Sequence, residues 1–286
     1  MSAMPATLRI GCKINLYLEI AGRRPDGYHE LRTLFYPVAE PHDLLELEPA
    51  GDGLALACSD PSLETPDNLV ARAYAAFAQA SGFRPGVRAR LTKGIPSGAG
   101  LGGGSADAAA LLGWLNAHAG GLALSREALA RLAAGLGADV PFFLDNTPAW
   151  ATGIGERLEP AACDLGGLHL VLAVPAQRVP TAWAYRAWDA AGQNGAPGIL
   201  TSAASEAMRP FCVSGTLIAN SFEAVVFPAY PSVRALKERF LSLGASVSAM
   251  SGSGSAVFGI FRDARLASLA AGALQAPGTQ VHAATL

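Results

Sequence analysis

Apolar and polar residues alternate in short runs over roughly the first 60 positions. Ile14, Leu16, Leu18 and Ile20 are separated by Asn15, Tyr17 and Glu19, and Leu45 and Leu47 repeat the pattern. A period of two puts these apolar side chains on one face of an extended chain, so this stretch predicts several strands joined as hairpins where proline and glycine intervene. After Pro66-Asp67-Asn68 the period changes: Leu69, Ala73, Ala76 and Phe77 recur at helical spacing until Gly82. That spacing predicts a helix. A short strand from Val87 to Leu91 leads into a loop with glycine at 98, 100, 102, 103 and 104. The next helix, starting around Ser105, lines up Ala108, Leu111, Leu112 and Leu115 on one face. Another begins at Ser125 and ends near Gly135 and Gly137, with Asp139-Val140-Pro141 blocking its continuation.

The second half predicts a strand from about Leu168 to Val174, a helix containing Trp183 to Trp188 and a glycine- and proline-rich loop from Gly192 to Gly198. Helices at 215–227 and 231–243 follow, then a strand at 246–250, a Ser-Gly-Ser-Gly-Ser turn, a strand at 256–261, a helix and a last strand. Strands mixed with helices in both halves give an α+β fold. The expected division is into residues 1–155 and 156–286.

A chain of 286 residues accommodates one or two domains. Its formal net charge of -2 and pI near 6.2, without a lysine or arginine cluster, speak against nucleic acid as a partner. No apolar run reaches membrane-spanning length, and Arg9, Lys13 and Asn15 interrupt any signal-like N-terminal stretch. Cys12, Cys58, Cys163 and Cys212 lie far apart without metal-ligand spacing, which predicts reduced thiols in a cytoplasmic protein.

The glycine loop is the first feature that points to chemistry. Each glycine fixed in regular structure costs about 0.5–1 kcal/mol relative to alanine, so the run from Gly98 to Gly104 implies a need for exposed backbone. Backbone N–H groups converging beside a helix N-terminus form a phosphate cradle. The segment contains G-x-G-x-x-G, but the βαβ context and ribose-binding acid of a dinucleotide fold are absent, as is the Gly-Lys-Ser/Thr ending of a Walker loop. Asp107 suits the positive end of the following helix, and Ser105 is read as its cap ahead of a magnesium ligand.

Three segments, in order, then carry a family resemblance. They are Cys12-Lys13-Ile14-Asn15-Leu16, the run from Pro96 to Ser105, and Met250-Ser251-Gly252-Ser253-Gly254-Ser255. Together the chain resembles the kinases named after galactokinase, homoserine kinase, mevalonate kinase and phosphomevalonate kinase, the GHMP superfamily. Gly-Leu-Gly-Gly-Gly-Ser at 100–105, the stretch from Gly22 to Leu31 and Gly137-Ala138-Asp139-Val140-Pro141 resemble the branch of the non-mevalonate isoprenoid route whose acceptor is a cytidine-bearing sugar-alcohol diphosphate. Cys12, where alanine is common, and Asn220-Ser221-Phe222-Glu223, where Asn-Asp is more frequent, depart from the pattern.

The resemblance implies a two-domain GHMP kinase fold: a ribosomal protein S5 domain 2-like N-terminal domain for nucleotide and catalysis, and a ferredoxin-like C-terminal domain for the acceptor. It implies ATP and Mg2+, with the metal ligands left open. Lys13 and Asp139 become the catalytic pair. Asn68, Lys93, Pro96, Ser97, Gly98, Ala99, Gly100, Leu101, Gly102, Gly103, Gly104, Ser105 and Ala106 fall to the nucleotide. Asn15, Tyr28, His29 and Tyr185 fall to the acceptor; Tyr28 offers an aromatic face and His29 a ring with donor and acceptor nitrogens. Two rivals are a kinase for another acceptor, such as homoserine or mevalonate, and a nucleotide-binding module without activity. The triple glycine and Asp26-Gly27-Tyr28-His29 weigh against the first, and Lys13 with Asp139 against the second.

Overall fold

Within residues 5–192 and 218–286, which the computed structural model describes, the N-terminal alternation forms two long strands rather than several short ones, β1 (Ala6–Arg23) and β2 (His29–Pro49). Prolines 37 and 41 misled the strand count, because proline ordinarily ends a ladder. They fall between two pairings of β2. Thr33 to Phe35 pair with β5 (Ala149–Thr152), whereas Leu44 to Pro49 pair with β4 (Val87–Thr92).

The described chain divides into two compact units that are not contiguous in sequence. The first comprises Met1–Cys12, Pro41–Ser97 and Gly102–Thr147, and the second Lys13–Glu40, Gly98–Leu101 and Pro148–Leu286. In the first unit β3 (Leu54–Cys58) pairs parallel with β4, and β4 pairs antiparallel with β2. Their apolar face shares one core with helices α1 (Leu69–Ser81), α2 (Gly103–His118) and α3 (Arg126–Leu136), through Leu45, Leu47, Leu91, Phe77, Leu111, Leu112, Leu115 and Ala133. Asn68 caps α1 by accepting the Val70 N–H, and Gly82 ends it in the left-handed conformation. α2 starts before Ser105, and its cap position is Gly102, with no side-chain cap. The expected cap at Ser105 is therefore corrected: a left-handed Gly102 turns the chain into the helix. The Asp139-Val140-Pro141 stretch does more than stop α3, since it opens the short helix α4 (Val140–Asp145) with Pro141 in the first turn.

In the second unit, β5 pairs with β6 (Arg157–Pro160), and β1 pairs in parallel with the two-residue strand β8 (Ala219–Asn220). A separate four-stranded sheet contains β7 (His169–Pro175), β9 (Val247–Met250), β10 (Val257–Phe261) and β11 (Thr279–Thr285), in the order β11-β7-β10-β9 with every neighbour antiparallel. Fourth, first, third, second is the ferredoxin-like order. Its helices include α5 (Thr181–Ala190), α6 (Glu223–Ala229), α7 (Pro231–Ser242) and α8 (Ala264–Ala273). Val171, Ala173, Phe240, Met250, Val257 and Phe261 form much of the core. A Cβ on Gly259 would lie 2.4 Å from Phe240 Cδ1, so glycine there lets the ring lie against the strand.

The helix expected at 215–227 begins at Glu223, after β8; residues 215–217 and most of the Gly192–Gly198 loop lie outside the described residues. Cys12 and Cys58 are buried thiols as expected, but Cys163 is disulfide-bonded, which corrects the expectation of reduced thiols there. Cys212 lies outside the described residues. No helix among them is long and apolar enough to cross a membrane.

Candidate active site

A half-buried strand hides every second residue, but β1 is buried on both faces from Lys13 to Leu16. The two polar residues in that stretch must then find partners inside. Lys13 is 3% exposed; its Nζ donates to Asn15 Oδ1 at 2.7 Å and lies 4.5 Å from the centre of the Phe35 ring. Asn15 Nδ2 donates to Thr33 Oγ1 at 2.8 Å. The Asn15 amide thus supports Lys13 and β2.

The first half of the glycine loop docks onto the same strand. Lys13 N donates to Leu101 O at 3.0 Å, and Ala256 N to Ala99 O at 3.1 Å. Ser251 Oγ accepts the Asn15 N–H at 3.2 Å and donates to Gly100 O at 3.0 Å. One hydroxyl therefore joins all three motif segments. A Cβ on Gly100 would lie 2.2 Å from Ser251 O, so this close approach admits only glycine. Gly98, Gly100 and Gly102 all have positive φ, at 70°, 82° and 75°, as a loop that repeatedly turns its amides requires. Sequence reasoning missed the support for the third segment. Asn220 Nδ2 donates to Met250 O and Gly252 O, both at 2.7 Å, while its Oδ1 accepts the Phe222 N–H. The only signal was its place in a stretch that departs from the family pattern.

The second half of the loop, Gly102 to Ala106, enters α2, with Ala106 N donating to Gly102 O at 2.9 Å. Without a side-chain cap, the first amides of the helix stay available to an anion. Ser105 is half-buried, and its hydroxyl makes no hydrogen bond among the described residues. Asp107 is buried and does not serve the helix end, a second correction. Its Oδ2 accepts from Lys93 Nζ at 2.7 Å, and Lys93 also donates to Asp43 Oδ2. Asp43 Oδ1 accepts the N–H groups of Gly94 and Ile95 at 2.7 and 2.8 Å, tying down the lead-in to half-buried Pro96 and Ser97. Asp107 Oδ1 is buried without a partner among the described residues. Burial pushes Asp107 up to about 7, with Lys93 pulling it down and Asp43 adding to the rise. For Lys93, burial lowers the pKa, but the two carboxylates outweigh it and the net shift is upward.

Lys93, expected at the phosphates, thus has its amine held by two carboxylates, and Asn68 has its side chain engaged as a cap and as a donor to Leu63 O. Asp43 was not anticipated. An isolated aspartate in a strand carries no distinguishing sequence signal.

In the second unit, Tyr28 is 61% exposed beside the buried His29. The His29 ring stacks on Tyr185 at 4.7 Å with an interplanar angle of 21°, and Tyr185 meets Phe222 edge-on at 4.9 Å. His29 Nε2 lies 2.6 Å from Asp189 Oδ1, and Arg23 Nη1 is 3.8 Å from Asp189 Oδ2. The structure brings His29 and Tyr185 together but adds Asp189, which sequence reasoning missed. Asp139, half-buried, immediately precedes α4 in the first unit, whereas Lys13 belongs to the second. Among the described residues no group of three or more His, Cys, Asp or Glu side chains is arranged to hold a metal.

Comparison with known proteins gives the arrangement a context. The GHMP kinases N terminal domain matches residues 68–146 and the GHMP kinases C terminal domain residues 199–280. A 4-diphosphocytidyl-2-C-methyl-D-erythritol kinase from Solidesulfovibrio magneticus is 50% identical over 98% of this chain and 96% of its own. The crystal structure of a 4-(cytidine 5'-diphospho)-2C-methyl-D-erythritol kinase superposes with a TM-score of 0.81 at 38% identity, covering 97% of this chain and 98% of that one. Homoserine kinase from Cytophaga hutchinsonii shares the fold, with a TM-score of 0.66 at 16% identity over 98% of this chain and 95% of its own.

Proposed function

The chain belongs to the 4-diphosphocytidyl-2-C-methyl-D-erythritol kinases of the GHMP kinase superfamily, and from that premise we propose that it phosphorylates the 2-hydroxyl of 4-diphosphocytidyl-2-C-methyl-D-erythritol with ATP. The products are the 2-phosphate and ADP, in the non-mevalonate route to isoprenoid precursors, carried out in the cytoplasm without a nucleic-acid partner. The observation that carries the reading is the Ser251 hydroxyl, which bonds at once to the Lys13–Asn15 strand and to the glycine loop.

The residues fit a nucleoside triphosphate. Left-handed glycines from Gly98 to Gly102 and the side-chain-free start of α2 offer backbone N–H groups to phosphate oxygens. ATP supplies the phosphoryl group, and Mg2+ accompanies its phosphates; Ser105 Oγ is the candidate protein ligand to that ion. Asp43 and Lys93 hold the lead-in to the loop at Gly94 and Ile95. Asn68 lies on the adenosine side by family resemblance.

In this reading Asp139 takes the proton from the acceptor hydroxyl, while the Lys13 amine stabilises the oxygen as it becomes nucleophilic. Asn15 orients that amine. Tyr28 provides a stacking face for cytosine, and His29, backed by Tyr185, reads the edge of the base. The roles divide between residues 1–155 for nucleotide and catalysis and residues 156–286 for the acceptor, with Asn15, Tyr28 and His29 reaching the acceptor from the N-terminal segment.

The test is ADP release in the presence of Mg2+, comparing 4-diphosphocytidyl-2-C-methyl-D-erythritol, homoserine and mevalonate as acceptors. Turnover is expected with the cytidine compound alone. Turnover only with another acceptor overturns the substrate, and none with any overturns the activity. Asp139→Asn should retain binding and lose turnover by roughly 10³-fold or more; near-normal turnover removes Asp139 from the chemistry.

A further inference from the structure

The pair formed by His29 and Asp189 has a consequence for which base the site accepts. A carboxylate only accepts hydrogen bonds, so the 2.6 Å contact between Asp189 Oδ1 and His29 Nε2 requires the proton to sit on Nε2. In the neutral ring this leaves Nδ1 as a bare acceptor. Nδ1 makes no hydrogen bond among the described residues, and it is not one of the sealed, unsatisfied polar atoms although His29 is 8% exposed. It is therefore open to a ligand. Two neighbours fix the ring, Asp189 at Nε2 and Tyr185 stacked on one face, while Arg23 lies 3.8 Å from the second oxygen of Asp189. Tyr185 and Asp189 are four positions apart on α5, so one helical face supplies both the stacking ring and the carboxylate.

We propose that Asp189 is a positioning residue for base specificity, holding His29 in its Nε2–H form so that Nδ1 accepts from the exocyclic amine of cytosine and rejects uracil. The inference rests on the cytidine acceptor proposed above. Cytosine presents an N–H2 donor at its 4-position, where uracil presents a carbonyl oxygen. A bare nitrogen lone pair attracts the first and repels the second, so discrimination arises from a repulsive element as well as an attractive one. If the proton moved to Nδ1, the preference would invert at that atom. Asp189 therefore sets the polarity of the contact through His29.

The full-length enzyme tests this in two ways. The first is the ¹⁵N NMR signature of the His29 imidazole without substrate, assigned by its loss in His29→Asn. The expected result is an Nε2–H tautomer in the wild type and a mixed or Nδ1–H population in Asp189→Asn, whose amide can present a donor to Nε2. A wild-type ring protonated on Nδ1, or on both nitrogens, near pH 8 overturns the proposal. The second is kcat/KM with 4-diphosphocytidyl-2-C-methyl-D-erythritol and its uridine counterpart. Asp189→Asn should lower the cytidine-to-uridine ratio by roughly 10- to 100-fold, through KM for the cytidine compound, with kcat within about twofold of wild type. Asp189→Glu, which keeps the acceptor, should recover much of the ratio. An unchanged ratio, or equal losses for both bases, overturns this inference while leaving the cytidine reading intact. Absence of wild-type turnover with the cytidine compound overturns both.

Discussion

Each of the two compact units buries a lysine side chain, and the two amines meet different neighbours. Lys93 donates to Asp43 and Asp107, two carboxylates with almost no exposure, and the same Asp43 secures the backbone at Gly94 and Ile95. Lys13 is oriented by the Asn15 amide and the face of Phe35. Carboxylates offset a lysine's charge, whereas an amide oxygen and a ring face chiefly fix where the amine points. A lysine in the first setting belongs to the frame of the loop. A lysine oriented as in the second suits the role proposed for Lys13 at the developing oxyanion.

Lys13→Met should cause the largest change, a fall in kcat on the order of 10⁴-fold. The melting temperature should move by no more than ~2–4 °C, because an unbranched chain of similar length refills the site. Lys93→Met should do the reverse. Leaving two buried carboxylates without their cation costs roughly 3–5 kcal/mol, read as a lower urea midpoint. Adding Asp107→Asn should return part of that loss. If Lys93→Met is stable and inactive while Lys13→Met unfolds, the contrast between the two lysines is wrong.

The same contrast marks what could be read before the structure was in hand. The glycine run stood out because a cradle of backbone amides needs one residue type at fixed positions, and Ile14 to Ile20 stood out through their period. The supports did not. Asp43 is one acid in a strand that also carries Glu46 and Glu48, and its partner Lys93 is 50 positions away. Ser251 and Asn15 are separated by 236 positions, and nothing local to either reveals their bond. The roles of Lys13 and Asp139 came from family resemblance, since a lone buried lysine and an aspartate ahead of a proline have ordinary structural uses. Asp189 was invisible for a further reason: it sits among the alanines and tryptophans of an amphipathic helix, and only the tertiary fold brings it to His29.

A smaller effect should distinguish the charged cluster by its pH dependence. Asp107 has an ordinary value of 3.8 and is raised to about 7 in the folded protein by burial, against the pull of Lys93 and with the push of Asp43. Between those values the folded state holds a proton that the unfolded chain has released. Stability from this group is thus full below the unfolded value and declines as pH rises toward 7. Urea unfolding at about pH 5 and pH 8 should show this slope in the wild type and a flatter one in Asp107→Asn. Equal slopes would mean that Asp107 is not protonated in that window.

The smallest effect belongs to the neutral contacts of the second unit, and it separates two serines that sequence alone cannot. Ser251 Oγ both accepts from Asn15 N and donates to Gly100 O, whereas Ser253 Oγ meets only Thr181 Oγ1, at 2.8 Å. Ser251→Ala leaves a buried N–H and a carbonyl without their shared partner, a cost of about 1–2 kcal/mol. Because both groups lie where the glycine loop meets the Lys13 strand, part of that cost should surface as a KM for ATP raised roughly fivefold to tenfold. Ser253→Ala removes one end of a single hydroxyl pair, and the exposed Thr181 hydroxyl left behind can turn to water, so the variant should stay within about twofold of wild type. Steady-state kinetics on the two variants checks the difference. Equal effects would mean that the loop is held by its glycines alone and that the Ser251 hydroxyl does not join the three segments energetically.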